Sequence, residues 1–500
     1  MRSWWGWGDE SQVVDPASAA KLVGPYLPLD GGITPIPHLP DLRAPRIKPP
    51  AGSIWSDDPW QRAAHTHGKA YRDVVRNLRG ELANPPDLIC FPGNEDDVIQ
   101  VLEWAYQAGV AVIPYGGGTS VVGGVEFRDP DRPFISLDLT GMRSILEVDE
   151  ESLAMRSQAG ILGPAIQDGL RPKGLALRHF PQSFEFSTLG GWIATRAGGH
   201  FATGHTHIDD FIESLRVITP MGTSESLRVP ASGAGPSPDR LFLGSEGALG
   251  IITEAWVRVQ RAPAYRSSAS VRFDEFTHAV LATRKVAQSG LMPSNCRLLD
   301  PLEAMLAAGV TDGAAVLLLA FESADHPVEP ALERAVEICR DHGGTSAPKA
   351  QKAWRDTFLK APYLRDALAR LGVVLETFET ACTWSAFPKL HAAVMEAVQP
   401  GIVTCRFTHV YPDGPAPYFT VYAAGQRGAE IEIWDEMKAG ASEALLANGG
   451  TITHHHAVGR DHVPWYTRQS PAPFREMLRA AKAAVDPRHL LNPGVLGLIG

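Results

Sequence analysis

The run His454-His455-His456 places together three side chains that can each give or take a proton near neutral pH. Three imidazoles in a row invite a metal. An extended chain, however, sends alternate side chains to opposite faces, so only His454 and His456 would share a side. The next acidic residue, Asp461, is five positions further on. Metal binding is therefore the least supported reading, and acid–base chemistry and buried structural imidazoles both remain open. Tyr418 lies in the alternating stretch Pro417 to Tyr422, where an aromatic commonly packs a sheet against its core. A phenol with a pKa of about 10 needs neighbours to act as a base at neutral pH. Arg297 and Arg365 carry guanidinium forks suited to a carboxylate or phosphate. Each also has a nearby acid, Asp300 and Asp366, that could pair with it at a surface.

Glycine is concentrated in three places. The first run, Gly116 to Gly124, reads GGGTSVVGG. A dinucleotide fingerprint starting at Gly116 would need glycine at Val121, and a phosphate loop closing at Gly123 would need lysine at Gly124, so neither motif fits. Consecutive glycines still expose backbone N–H groups that can hold a diphosphate, because no Cβ blocks approach. The second dense stretch runs from Phe184 to Gly204 and the third from Gly244 to Gly250. Amides from several turns suit a large flat cofactor that has both a diphosphate and a ring system.

These residues need elements to hold them. Asp87 to Phe91 reads as a short strand. Asn94 caps a following helix in a box with Asp97, and Val98, Val101, Leu102 and Ala105 recur at helical spacing until Gly109. Val110 to Ile113 is the next strand and opens directly into the first glycine loop. Residues 24–60, rich in proline, read as an extended segment laid over the body. Beyond Ala262 the glycines thin out. Helices are expected at 275–288, 328–341, 364–371, 432–447 and 474–485, with strands at 315–321 and 403–411; the helix at 432–447 stops at Asn448-Gly449-Gly450.

The bulk properties narrow the class. A chain of 500 residues implies several domains, and a 44% hydrophobic, 20% charged composition is that of globular protein. Forty-six basic against 56 acidic residues give a net charge of −10, which argues against a nucleic-acid partner. Five scattered cysteines, with no CxxC, read as reduced thiols. The longest apolar run, Ala314 to Phe321, is eight residues, short of the roughly 20 that span a bilayer. With no secretory or peroxisomal signal, the expected setting is the cytoplasm.

The sequences IPYGGGTS, SFEFSTLGGWIATRAGG and GSEGALGIITEA, in this order, resemble the FAD-binding domain of the vanillyl-alcohol-oxidase (PCMH-type) flavoprotein superfamily. The resemblance is closer to one branch, the alkylglycerone-phosphate synthases. Trp5-Gly6-Trp7-Gly8, His65-Thr66-His67-Gly68 and Ser294 to Asp300 follow in family order, and ANGGTITHHHAVG, ending at Gly459, is similar to the family's ANGGSLSHHHGVG. The resemblance implies an α+β flavoprotein. An N-terminal extended and helical segment covers 1–84, a PCMH-type FAD domain 85–262, an α+β cap or substrate domain 263–447, and a C-terminal segment returning to the flavin 448–500.

By the same resemblance, FAD, expected to be non-covalent, is held by four loops. They are Pro114-Tyr115-Gly116-Gly117-Gly118-Thr119-Ser120, Gln182-Ser183-Phe184-Glu185-Phe186-Ser187-Thr188, Thr195-Arg196-Ala197-Gly198 and Glu246-Gly247-Ala248-Leu249-Gly250-Ile251-Ile252, with His179 near the flavin. Tyr418 matches the family's acid–base group at the substrate C1, and His454, His455 and His456 its catalytic cluster. Arg365 matches a substrate-binding arginine and Arg297 one needed for activity. The implied reaction exchanges the acyl group of acyl-dihydroxyacetone phosphate for a long-chain fatty alcohol with no net redox change. A peripheral membrane contact and a homodimer are compatible with such a lipid enzyme. Two features depart from the branch: Gln182 stands where the family usually has aspartate, and the Leu491-Asn492-Pro493-Gly494 ending is more like FAD-linked D-2-hydroxy-acid dehydrogenases. The alternative reading is therefore an FAD-linked oxidase or dehydrogenase of a lactate- or glycolate-type 2-hydroxy acid or an alcohol.

Overall fold

The computed structural model describes residues 2–29, 32–347 and 351–498. A small sheet takes the strands Trp55–Ser56, Leu88–Cys90, Phe134–Asp138 and Ala111–Tyr115 in that spatial order, the last three running parallel. Helix Glu95–Ala108 connects two of them and has the caps its sequence calls for. Asn94 Oδ1 accepts the Asp97 N–H at 3.0 Å, Asp97 Oδ2 accepts the Asn94 N–H at 3.3 Å, and Gly109 ends the helix at φ +69°. Buried Val98, Val101, Leu102 and Ala105 seat it against the sheet. A five-stranded antiparallel sheet follows, with Ile251–Arg258 at its centre.

The site depends most on a seven-stranded antiparallel sheet. In spatial order its strands are Thr345–Ala347, Tyr265–Phe273, Ala315–Ser323, Asn295–Leu299, Ile402–Val410, Pro415–Ala424 and Val373–Glu379. Period-2 alternation sorts its two faces. Cys296, Leu298, Cys405, Phe407, Phe419 and Val421 pack into the main hydrophobic core with helices Phe276–Ala287, Glu329–Arg340, Phe387–Ala397 and Glu430–Ala447. Arg297, Arg406, Tyr418, Thr420 and Tyr422 point the other way, into a cavity. The architecture is α+β, as the sequence implies.

One helix differs from expectation. The segment expected at 364–371 belongs to helix Gln351–Arg370, which continues through Pro362. A proline lacks the N–H of a helix interior, so the sequence pattern reads as a start where the helix in fact passes through. The Pro-rich segment beyond Gly32 has no regular element until Trp55. It is tied down by Arg43 and Arg46, which pair with the buried Asp87 at 2.6 and 2.8 Å. All five cysteines are buried and unpaired. Among the described residues no helix is long and apolar enough to cross a membrane.

Candidate active site

A cavity of ≈ 380 Å³ lies between the glycine loops and the polar face of the large sheet. Pro114 to Ser120, Gln182, Ser183, Ser187, Thr188, Thr195, Ala197, Gly198, Glu246, Gly247 and Gly250 to Ile252 line one end. These loops are packed so tightly that glycine is required. A Cβ on Gly117 would overlap the Phe186 carbonyl, one on Gly116 would overlap Thr188 Oγ1, and one on Gly247, at φ +74°, would stand 2.6 Å from Pro114 Cγ. Glycine backbone, the hydroxyls of Thr119, Ser120, Ser183, Ser187 and Thr188, and the flanking apolar Leu139, Trp192 and Ile251 make a donor set that fits a diphosphate with attached rings, and so fits FAD.

Several implied FAD residues lie outside this lining. Phe184 stacks on Trp192 with centroids 6.0 Å apart, and Phe186 packs edge-on to Trp7. Glu185 is exposed, and Ala248 and Leu249 are hydrophobic core. Arg196 caps its helix in the left-handed region and turns its side chain out to Asp209, at 2.8 Å. His179 is wholly buried between Trp192 and Phe211, burial takes its pKa down to about 3, and neither ring nitrogen has a hydrogen-bond partner.

The sequence gives Asn492 no role beyond its place in the divergent ending. In the fold its Nδ2 donates to Gly124 O at 3.0 Å and to Glu246 O at 2.7 Å, bridging the first and third glycine loops. Arg460 donates to Asn492 Oδ1 at 2.9 Å and to Gly123 O at 2.8 Å. Buried Glu246 accepts the N–H groups of Val458 and Gly459 at 3.0 and 2.9 Å. Burial raises its pKa to about 7 against the pull of those two amides. The C-terminal segment is thus clipped onto the loops by an Asn-Pro-Gly turn in which both ends of the Asn492 side-chain amide are hydrogen-bonded.

The opposite wall holds Tyr418, His455, His456, Arg297, Arg365 and an arginine not singled out from the sequence, Arg406. Register aligns Glu379, Tyr418 and Arg406 as direct cross-strand neighbours. The Arg406 guanidinium lies 3.9 Å from the Tyr418 ring centroid and pairs with Glu303 at 2.8 Å. Burial pushes the Tyr418 phenol up, while Arg406 draws it back down. Arg297 is 2% exposed and reaches the His200 carbonyl at 3.4 Å; burial and the neighbouring Arg406 bring its pKa down to about 9. Two buried cations on one wall favour an anionic ligand. Arg365 is held by Asp366 at 2.7 Å, and Asp366 in turn accepts the Trp7 N–H at 2.6 Å. A β-bulge between Phe407 and His409 brings His409 to the same cavity.

The histidines do not alternate as an extended strand would. His455 and His456 both line the cavity, whereas His454 faces a second, polar pocket. The cause is Glu379, whose carboxylate accepts the backbone N–H groups of all three, those of His455 and His456 at 3.1 and 2.8 Å. Three amides converging on one carboxylate force a turn. Burial alone would raise Glu379, yet the facing histidines hold it well below the usual carboxylate range. Burial in turn drives His455 down to about 3, so the imidazole is neutral at physiological pH. His409, His454 and His455, and separately Glu379, His455 and His456, bring their ligand atoms within 4.8 Å of one another. In the first set both ring nitrogens of His409 and of His454, and Nδ1 of His455, already meet protein atoms, among them Gly199 O from His409 at 2.9 Å.

Comparison with known proteins places these features. Residues 86–228 match the family model described as FAD binding domain, and residues 262–496 the model described as FAD linked oxidases, C-terminal domain. The alkyldihydroxyacetonephosphate synthase of Trypanosoma brucei brucei is 32% identical over 476 residues, 88% of this chain and 78% of that one. The enzyme of the same name from Dictyostelium discoideum is 31% identical over 474 residues, 87% of this chain and 77% of that one. A solved structure of an alkyldihydroxyacetonephosphate synthase superposes with a TM-score of 0.84 at 26% identity, covering 98% of each chain.

Proposed function

This chain belongs to the FAD-linked flavoenzyme family of the alkyldihydroxyacetonephosphate synthases, and from that membership we propose that it exchanges the acyl group of acyl-dihydroxyacetone phosphate for a long-chain alcohol. The observation that carries the reading is the cavity's composition. Beside Tyr418, His455, Arg297 and Arg406 its lining includes the apolar Leu302, Leu306, Phe358 and Leu364, with the exposed Leu22 and Tyr26. A small 2-hydroxy acid needs the cations but has no use for such an apolar lining, whereas an alkyl chain packs against it and gains about 0.8 kcal/mol per buried methylene.

FAD, non-covalently bound, supplies a ring that acts as an electron sink at the reacting carbon. Arg297, Arg406 and Arg365 neutralise the phosphate and fix the head group. Tyr418 and His455 hold and move the proton at C1, and the cavity walls keep water from intercepting the exchange. The Asn492-Pro493-Gly494 ending favours the second reading, oxidation of a 2-hydroxy acid. One experiment decides between them. Purified holoenzyme is given acyl-dihydroxyacetone phosphate and labelled hexadecanol, then separately D-lactate and glycolate under anaerobic conditions. Label incorporation with the flavin still oxidised supports exchange; bleaching by a hydroxy acid without incorporation overturns it.

A further inference from the structure

A continuous row of hydrogen bonds leads away from the cavity through its histidine wall. His455 Nδ1 meets His454 Nδ1 at 3.0 Å, and His454 Nε2 meets the Tyr411 hydroxyl at 2.8 Å. Tyr411 meets Thr206 Oγ1 at 2.9 Å, and Thr206 meets His207 Nδ1 at 3.2 Å. The row ends where His207 Nε2 meets the carbonyl oxygen of His454 at 2.9 Å. Its inner end, His455, lines the cavity, and its outer members Thr206, His207, Tyr411 and His454 line the second pocket. The exposed side chains of Arg196 and Arg240 stand at the rim of that pocket.

The final bond fixes the direction of all the others. A carbonyl only accepts, so His207 Nε2 carries the proton and, in the neutral ring, Nδ1 is bare. Thr206 must then donate to His207, Tyr411 to Thr206, His454 Nε2 to Tyr411, and His455 Nδ1 to His454 Nδ1, because each hydroxyl and each neutral imidazole has one hydrogen to give. His455 is left with an unprotonated Nε2 on the ring that lines the cavity.

We propose that this row is a proton relay, with Tyr411 and Thr206 as positioning residues that set the His455 tautomer and carry its proton to His207. The balance closes. When His455 Nε2 accepts one proton from the substrate, each donor passes its hydrogen one step outward, and the net result is a second proton on His207. Reversal returns it. Charged groups surround His207 in the second pocket. Asp210 accepts the His207 and Thr206 backbone N–H groups at 3.2 and 2.9 Å. Asp209, across the pocket, is shared by Arg196 and Arg240 at 2.8 and 3.1 Å. The rings of His454 and His409 lie 4.4 and 6.1 Å from that of His207.

The relay rests on the acid–base reading of the cavity, and its test separates the two. Imidazole ¹⁵N spectra of the holoenzyme, assigned by single histidine substitutions, should show His455 and His454 protonated at Nδ1 and Nε2 respectively. Thr206→Ser, which keeps the hydroxyl, should preserve that pattern and wild-type turnover. Thr206→Val, equal in shape, and Tyr411→Phe should lose the pattern, lower turnover by about 10²-fold at unchanged KM and FAD content, and shift the pH profile. Should the enzyme oxidise hydroxy acids instead, the tautomer pattern stands and the same variants are read by flavin reduction. A proton on His455 Nε2 in the wild type, or wild-type turnover in Thr206→Val and Tyr411→Phe, overturns the relay.

Discussion

Glu379 stands directly opposite Tyr418 on the neighbouring strand, and the same carboxylate gathers the backbone N–H groups of the histidine run. A sheet residue and a loop from the far end of the chain are thereby locked to one anchor. The spacing of Tyr418 from His455, whose rings stack with centroids 6.1 Å apart, follows from it.

Glu379→Gln should therefore damage the site out of proportion to its size. The amide presents N–H to backbone donors that need an acceptor. Loss of a buried charged acceptor costs about 1–3 kcal/mol. Urea unfolding should show that loss, and turnover should fall with FAD retained. Wild-type values for both would mean that the three amides find another partner.

Gly117→Ala tests the cofactor cradle. Its Cβ would overlap a backbone oxygen, Phe186 O, which no side-chain rotation can move away. The first and second glycine loops must part, at a cost of about 1–3 kcal/mol, and the 450 nm absorbance of the purified protein should be lost. Gly233→Ala, where nothing lies within 4 Å of the added carbon, is the control and should stay yellow.

Acid should release the N-terminal strap. Burial opposes ionisation of Asp87, but Arg46 and Arg43 outweigh it and hold the carboxyl down from 3.8 to about 2. A depressed carboxylate contributes stability that is complete above its unfolded value and disappears as pH falls through the folded one, here between about pH 4 and 2. The shift corresponds to about 2 kcal/mol. Hydrogen exchange over residues 32–54 should rise in that window, and Asp87→Asn should show the raised exchange already at neutral pH.

The sequence-based reading works where pattern and chemistry are local. The capping box at Asn94 and Asp97, the stop at Gly109 and the glycine loops are each written within a few residues. Arg406 and Glu379 escaped because their meaning is set by register. A charged residue inside an apolar strand, as in Cys405-Arg406-Phe407, does signal an unusual inward position, but only pairing with Tyr418 says what it faces. The alternation rule failed at His454 to His456 because that segment is not a strand; its backbone is bent by a carboxylate some 75 residues earlier in the chain. Thr206, His207 and Tyr411 carried no signal, since hydroxyls and imidazoles far apart in sequence become a row only in the fold.

Tyr418→Phe is the sharpest test of the proposed chemistry, because burial, strand pairing and Arg406 hold the ring in addition to the hydroxyl's bond with Thr377. The ring is 5% exposed, Arg406 lies against its face, and its strand is paired on both sides. Phenylalanine keeps the volume, and most of the cation–π contact, worth about 0.5–2 kcal/mol, survives with it. FAD content and unfolding midpoint should therefore match the wild type. What is removed is one of the two groups proposed to exchange a proton there with the substrate, so alkyl exchange should fall by about 10²–10⁴-fold. His455→Ala should reach a similar loss by a different route, since it removes the adjoining base but leaves the phenol in place. If the two groups act on one proton, the double variant should be scarcely slower than either single one, whereas independent roles would multiply the losses. Near wild-type exchange in Tyr418→Phe with full FAD content would return Tyr418 to the packing role that its alternating strand first suggests.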